Sequence, residues 1–322
     1  MDQKAVFATV SQEFEAVNQT ILSQLESRVP LVEKIADYIV SSGGKRQRPL
    51  LTLLAAGVSG GIETRHYQLA TVIEFLHTAT LLHDDVVDTS DLRRGRPTAN
   101  ARWGNAPSVL VGDFLYARAF ELLVDIGAMP VMNRLAVATR TIAEGEVLQL
   151  MNVRNPDATE AQYMDVIKGK TAILFQASSE TAALINQQSE ANTEKLAAYG
   201  LNLGLAFQLI DDVLDYDGNT ETLGKNVGDD LAEGKPTLPL IHAMQNASPD
   251  EAQLIRQAIR KGGLENLDAI LDIVHRCGSI GYVRDKALEH AAIAREQLGD
   301  FEDSVYKTAL LSLTEIAVQR DS

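Results

Sequence analysis

The sequence predicts an all-α protein, a single large helical bundle formed by one domain over residues 1–322. Three observations predict it. Long segments repeat apolar residues at three- and four-residue steps and are rich in Ala, Leu, Glu and Gln, which cost little in a helix. No stretch alternates at period two with β-branched residues over a useful length, so no sheet is expected. The 22 Gly and 9 Pro fall at the gaps between patterned segments, where turn chemistry belongs.

The clearest element runs from Thr64 to Val87, where Leu69, Val72, Ile73, Leu76, Thr80 and Leu81 recur on a helical period. The same period runs through 106–126, 130–153, 160–185 and 193–216, and a group of shorter helices follows Pro236. The breaks are Ser42-Gly43-Gly44, Arg94-Gly95-Arg96-Pro97, Gly127-Ala128-Met129-Pro130, Asn155-Pro156-Asp157, Asp217-Gly218-Asn219 and Glu233-Gly234-Lys235-Pro236. Ala182 to Ile185 and Leu201 to Ile210 are nearly apolar throughout, so these helices sit inside a bundle or against a partner subunit. There is no repeat of fixed period and no linker long enough to divide domains.

Composition narrows the function. Lys and Arg number 29 against 44 Asp and Glu, a net charge of −15, which is the wrong sign for a general nucleic-acid binder. A single cysteine, Cys277, excludes an internal disulfide and a Cys-based zinc site; near a helix end, it is expected to pack. Met1-Asp2-Gln3-Lys4 does not open a secretory signal, and no apolar run approaches the about 18 residues of a membrane span. The expectation is a cytoplasmic globular protein without an integral membrane segment.

Two acidic segments carry the chemistry. His83-Asp84-Asp85-Val86-Val87-Asp88 and Ile210-Asp211-Asp212-Val213-Leu214-Asp215 each contain Asp-Asp-x-x-Asp, and each closes a long apolar helix. At about 100° per residue, Asp84 and Asp88 lie about 40° apart on one face, as do Asp211 and Asp215. His77 stands two turns before Asp84, and Gln208 nearly one turn before Asp211. Like charges one turn apart repel by roughly 2–3 kcal/mol at about 6 Å and an effective dielectric of about 20. The helix dipole disfavours anions at C-terminal ends as well. One such cluster is equally well a solvated acidic helix end; two, with basic motifs nearby, point to divalent cations. Hard oxygen ligands without His or Cys suit Mg²⁺ combined with substrate phosphates. Neither segment has the glycine and twelfth-position Glu of an EF-hand.

Cations cluster in three places despite the acidic background: Lys45-Arg46-Gln47-Arg48, the loop with Arg93, Arg94 and Arg96, and a group formed by Lys168, Lys170, Lys225 and Lys235. Arg forks and Lys point charges are what diphosphate oxygens need. Alone, Arg93-Arg94 would be an exposed loop, and His77 a satisfied core histidine. Gly169-Lys170-Thr171 is not a P-loop, because Met164 stands where the first glycine is required and no strand precedes it.

On these residues the chain resembles the trans-polyprenyl diphosphate synthase family, and within it the bacterial octaprenyl diphosphate synthases. The resemblance runs over nearly the whole chain. It includes Gly44-Lys45-Arg46-x-Arg48-Pro49, both aspartate segments, Arg93-Arg94-Gly95, Gly145-Glu146-x-x-Gln149-Leu150, Lys170-Thr171 and Phe207-Gln208. It continues through Gly224-Lys225-x-x-Gly228-x-Asp230 and ends with Glu233 to Leu240. One aspartate segment is a weak signal; the ordered set is specific.

The resemblance implies a bundle around a deep central cavity of the isoprenoid synthase type, usually homodimeric, with the aspartate segments facing across the cavity mouth. By matching position, Asp84, Asp88, Asp211 and Asp215 hold Mg²⁺ on an allylic diphosphate, with Asp85 and Asp212 in support. Arg93, Lys170, Lys225 and Lys235 contact the same diphosphate. Lys45, Arg48, His77 and Arg94 bind isopentenyl diphosphate, and Thr171 and Gln208 lie near the developing allylic cation. The implied reaction extends farnesyl diphosphate, or another short allylic diphosphate, to a long all-trans product near C40 for a quinone side chain; C45 stays open.

Product length is expected to be a packing matter. Ala79 and Thr80, before the first aspartate segment, are small, so the growing chain passes them; by family position, Leu123 and Leu135 form the floor. Each is equally an ordinary core residue. A non-catalytic isoprenoid-binding subunit would usually have lost aspartates, and a metal-binding bundle would leave the clustered cations without a role. A terpene cyclase usually lacks the Gly-Lys-x-x-Arg-Pro segment.

Overall fold

The computed structural model describes residues 1–41, 44, 46–93, 95–217 and 227–320. In chain order it contains α1 (Gln3–Ala8), α2 (Ser11–Gln24), α3 (Pro30–Ser41), α4 (Gln47–Val58), α5 (Thr64–Val87), α6 (Ala99–Trp103), α7 (Asn105–Ile126) and α8 (Met129–Asn152). Then come α9 (Glu160–Ile167), a π turn (Lys168–Ala172), α10 (Ile173–Ile185) and α11 (Glu190–Asp217). Helices Leu238–Asn246, Pro249–Lys261, Leu267–Arg276, Ser279–Glu296 and Val305–Val318 follow a short turn at Asp229–Ala232. The protein is all-α, as its periodicity predicts.

Among the described residues, β structure is confined to β1 (Leu92–Arg93) and β2 (Arg96–Pro97), an antiparallel pair with Leu92 opposite Pro97. A ladder this short has no room to show alternation, so the sequence pattern did not signal it. Gly95, at φ +72°, supplies part of the turn between them.

Helix ends sit where local chemistry puts them. Thr159 and Gln162 form a reciprocal capping box at the start of α9, and Ser248 and Glu251 do the same for Pro249–Lys261. Gly127 closes α7 in the left-handed conformation, φ +68°. The segment 160–185, whose period reads as one helix, is interrupted by the π turn. The cause is contact between glycines: a Cβ on Gly145 of α8 would lie 2.7 Å from the Lys170 nitrogen and 2.8 Å from the Gly169 carbonyl carbon. Two backbones approach more closely than side chains permit, and π turns of this kind recur at functional sites.

Internal contacts group the chain into two compact units. The first comprises residues 1–139, 174–200 and 297–313; the second comprises 140–173, 201–296 and 314–322. In the first, α5 is the central helix, with α2, α4 and α7 packed on it. Leu69, Ile73, Phe75, Leu76 and Leu82 of α5 are buried, each side chain contributing about 1.5–3 kcal/mol. Gly112 of α7 meets the His83 ring, where a Cβ would lie 2.3 Å from Nε2, so glycine lets α7 close on the last turns of α5.

In the second unit, Leu209, Val213 and Tyr216 of α11 enter a core with Ile241, Ile255 and Val274. Their spacing leaves Gln208, Asp211 and Asp215 on a different face of the same helix.

Candidate active site

The first aspartate segment lies at the end of α5. Asp88 caps the helix, its N–H donating to the Asp84 carbonyl at 2.8 Å, so Asp84 and Asp88 stay on one face, both half-buried. Asp85 points elsewhere and is wholly buried. Arg93 of β1 forks onto it, with Nη2 at 2.7 Å and Nε at 2.9 Å from Oδ1. Burial pushes the Asp85 carboxyl up, while the Arg93 hydrogen bonds and charge pull it down. The middle aspartate thus anchors the hairpin that carries Arg93.

The basic segment before α4 reaches the same helix. Arg48 Nη1 lies 3.2 Å from His77 Nε2, and its guanidinium stacks on the Phe175 ring at 4.4 Å. Arg46, at φ +37°, places Nε 3.8 Å from Glu74 and donates to the Val40 carbonyl. His77 and Arg48 are therefore neighbours. Thr80 is half-buried and its hydroxyl donates to the His77 carbonyl at 2.7 Å; Ala79, Leu123 and Leu135 are buried.

The second aspartate segment repeats this plan on α11. Asp211 and Asp215 are half-buried, and Asp212 is buried. Tyr163 of α9 donates to Asp212 Oδ2 at 2.6 Å, and Gln208 Nε2 donates to Oδ1 at 2.7 Å. Gln208 Oε1 in turn accepts from the Thr171 hydroxyl at 2.9 Å. Burial, with the nearby Asp230 and Asp211 charges, pushes the Asp212 carboxyl up to about 7, although Tyr163 and Gln208 pull it down. Asp230 N–H donates to Asp215 Oδ2 at 3.2 Å. In the π turn, Lys170 Nζ lies 2.8 Å from Glu146, and Lys235 pairs with Glu233.

The sequence reading missed two residues of this second group. Arg320 places Nη2 2.9 Å from Asp211 Oδ1 and stacks on Phe207 at 4.1 Å. Tyr163 closes the network around Asp212. Neither shares a motif with its partner, so no local pattern marks them. Asp230 and Glu146 stood in matched segments but had no role assigned. Lys45, Arg94 and Lys225 lie outside the described residues.

The donor set fits a hard divalent cation. Each segment offers two half-buried carboxylates on one face, hard oxygen donors one helical turn apart. Among the described residues, no three His, Cys, Asp or Glu side chains form a ready cage.

A family model described as polyprenyl synthetase matches residues 29–274. The chain belongs to the polyprenyl synthetase family. The octaprenyl diphosphate synthase of Escherichia coli (strain K12) is 50% identical over 322 residues, 100% of each chain. The all-trans-nonaprenyl-diphosphate synthase (geranyl-diphosphate specific) of Rhodobacter capsulatus is 48% identical over 316 residues, 98% of this chain and 97% of the relative. A solved polyprenyl synthase from Caulobacter crescentus CB15, complexed with calcium and isoprenyl diphosphate, matches with a TM-score of 0.96 at 44% identity, covering 100% of this chain and 98% of that one. A decaprenyl diphosphate synthase from Rhodobacter capsulatus matches with a TM-score of 0.95 at 41% identity, covering 100% of both. The family's all-α isoprenoid synthase fold is the fold of this chain.

Proposed function

We propose that the protein condenses isopentenyl diphosphate onto farnesyl diphosphate, or another short allylic diphosphate, in a Mg²⁺-dependent reaction giving octaprenyl (C40) diphosphate for a quinone side chain. The enzyme is a trans-polyprenyltransferase with a long-chain product. Its work depends on a divalent cation. The observation that supports the finer reading is the shared plan of the two aspartate helices. In each, the outer aspartates are half-buried on one face while the middle one is buried and locked, Asp85 by Arg93 and Asp212 by Tyr163 and Gln208.

Asp84, Asp88, Asp211 and Asp215 would hold Mg²⁺, which would supply positive charge for a departing diphosphate. Arg93, Lys170, Lys225 and Lys235 add donors to the same oxygens, meeting charge that grows as the allylic C–O bond breaks. Arg48 and His77, with Lys45 and Arg94, bind isopentenyl diphosphate. The Thr171 hydroxyl and Gln208 carbonyl steady the cation as fixed dipoles. The isopentenyl double bond then forms the new C–C bond, and a proton leaves to give the lengthened trans product.

We also propose a cytoplasmic homodimer. Leu110, Phe120 and Val124 lie within about 80° of one another around α7 and are exposed, an apolar stripe suited to a second copy. No helix among the described residues is long and apolar enough to cross a membrane.

Incubating the pure protein with labelled isopentenyl diphosphate, farnesyl diphosphate and Mg²⁺, followed by chain-length analysis, tests the reaction. A C40 product is expected and EDTA is expected to abolish it. A C45 product would replace the length assignment, and no incorporation would overturn the reading. Asp84→Ala and Asp211→Ala are each expected to lower turnover by about a hundredfold or more. Sedimentation equilibrium at the monomer mass would reject the dimer.

A further inference from the structure

An amide side chain has two ends of opposite polarity and nearly identical shape, so its sense is set by its partners. For Gln208, both partners are on hand. Its nitrogen donates to Asp212 Oδ1 at 2.7 Å, and its oxygen accepts from Thr171 Oγ1 at 2.9 Å. Turned by half a rotation, the amide would bring its oxygen against the Asp212 carboxylate. Asp212 therefore determines which end of Gln208 is the carbonyl end.

Asp212 is itself held by one further group. Its second oxygen accepts from Tyr163 at 2.6 Å, and both side chains are buried. Burial and the facing carboxylate push the Tyr163 phenol well above its ordinary range, so it acts as a donor. The start of the helix that carries Tyr163 is anchored as well. One turn earlier on α9, Glu160 accepts from Tyr282 at 2.8 Å and pairs with Lys286 at 2.8 Å. Tyr163 on α9 and Thr171 within the π turn thus send hydrogen bonds to α11 at Asp212 and Gln208, one helical turn apart.

We propose that Tyr163 is a positioning residue for the ionisation step. Acting through Asp212, it holds the Gln208 amide in place so that its carbonyl dipole is presented to the allylic cation beside Thr171. The inference rests on the reading of Gln208 and Thr171 given under Proposed function. With the phenol hydroxyl gone, Asp212 Oδ2 loses its buried donor, the carboxylate is free to turn, and the Gln208 amide bonded to it loses its fixed position.

The test is a double-mutant cycle in the full-length enzyme, using Tyr163→Phe, Gln208→Ala and both together, with kcat and both KM values measured in steady state. Tyr163→Phe is expected to lower kcat by at least about tenfold, with both KM values held within about threefold. The double variant is expected to be no more than about threefold worse than Gln208→Ala, because the two residues act as one unit. A smaller kcat loss, a loss carried by KM, or losses that multiply in the double variant would overturn the inference. If Gln208→Ala itself turns over normally, the assignment of Gln208 fails first and takes Tyr163 with it. Should Tyr163→Phe not fold, 4-aminophenylalanine in place of Tyr163 carries the test, since it keeps a donor at the same position. Its kcat is expected within about fivefold of the parent, and a larger loss would overturn the inference.

Discussion

Arg93 lays its guanidinium on Asp85, the middle aspartate of the first segment, with Nη2 2.7 Å from a carboxylate that solvent does not reach. The pair ties the hairpin of β1 and β2 to the end of α5 at the point where Asp84 and Asp88 emerge. It also means that the three acidic residues of one motif have two different jobs.

Removing Arg93 leaves a buried carboxylate without its countercharge. Arg93→Ala is expected to cost about 3 kcal/mol of stability, read by urea unfolding, whereas Asp84→Ala is expected to cost less than about 1 kcal/mol because Asp84 is half-exposed. Equal losses would show that Asp85 does not depend on Arg93.

Gly145 lets α8 approach the π turn. Gly145→Ala pushes a Cβ to 2.7 Å from the Lys170 nitrogen, a backbone contact that cannot move aside cheaply. The expected result is a loss of about 1–3 kcal/mol together with lower turnover, since Lys170 and Thr171 both sit in the displaced turn. Unchanged melting and unchanged turnover would show that the turn does not need the glycine contact.

Thr80 is half-buried with its hydroxyl satisfied on its own helix, while Ala79 is fully enclosed. Thr80→Phe is therefore expected to shorten the product while the protein remains folded. Ala79→Tyr is expected to shorten it too, but with an overpacking cost of about 1–3 kcal/mol. Thin-layer analysis of the hydrolysed products checks both; an unchanged length would place the growing chain elsewhere.

His66 gives a pH dependence of stability. Its Nδ1 accepts from the Glu63 N–H at 3.1 Å and its Nε2 lies 3.3 Å from the Ala182 carbonyl, so the neutral ring satisfies both ends. Burial lowers its pKa, opposed by the Ala182 contact and the Glu63 charge, with Arg65 adding to the lowering. A depressed folded pKa means that the unfolded chain binds the extra proton first. Stability is therefore full above about pH 6.5 and falls as the pH drops from there to the lower folded value. His242 and His290 shift the same way, so His66→Gln is expected to reduce this acid sensitivity without abolishing it. Chemical denaturation at pH 7.5 and pH 5.5 reads the difference, and an unchanged slope would exclude His66 as a contributor.

Much of this molecule was legible along the chain. The helical period set α5, α7, α8 and α11 close to their observed ends, because an amphipathic or wholly apolar helix writes its burial into local spacing. The paired aspartates were legible for the same reason: Asp84 with Asp88, and Asp211 with Asp215, share a face whatever surrounds them. The π turn was not legible, since it arises from Gly145 meeting Gly169, two positions 24 residues apart. The division of labour within each motif was hidden as well, because Asp84 and Asp85 are chemically identical until burial separates them.

Local covalent order thus determined by itself the helices, the charge clusters and the chemistry they are fitted for. Only the tertiary structure decided which carboxylate is buried, that Arg93 pairs with Asp85, that Arg320 meets Asp211, and that Tyr163 stands behind Asp212 and Gln208. The physical reason is that helix periodicity is an interaction over three or four residues, whereas hydrogen-bond partners and burial are set by contacts that close over tens or hundreds of residues. Such contacts leave no repeating mark on the sequence, and their energy appears only once the packed interior has removed the water.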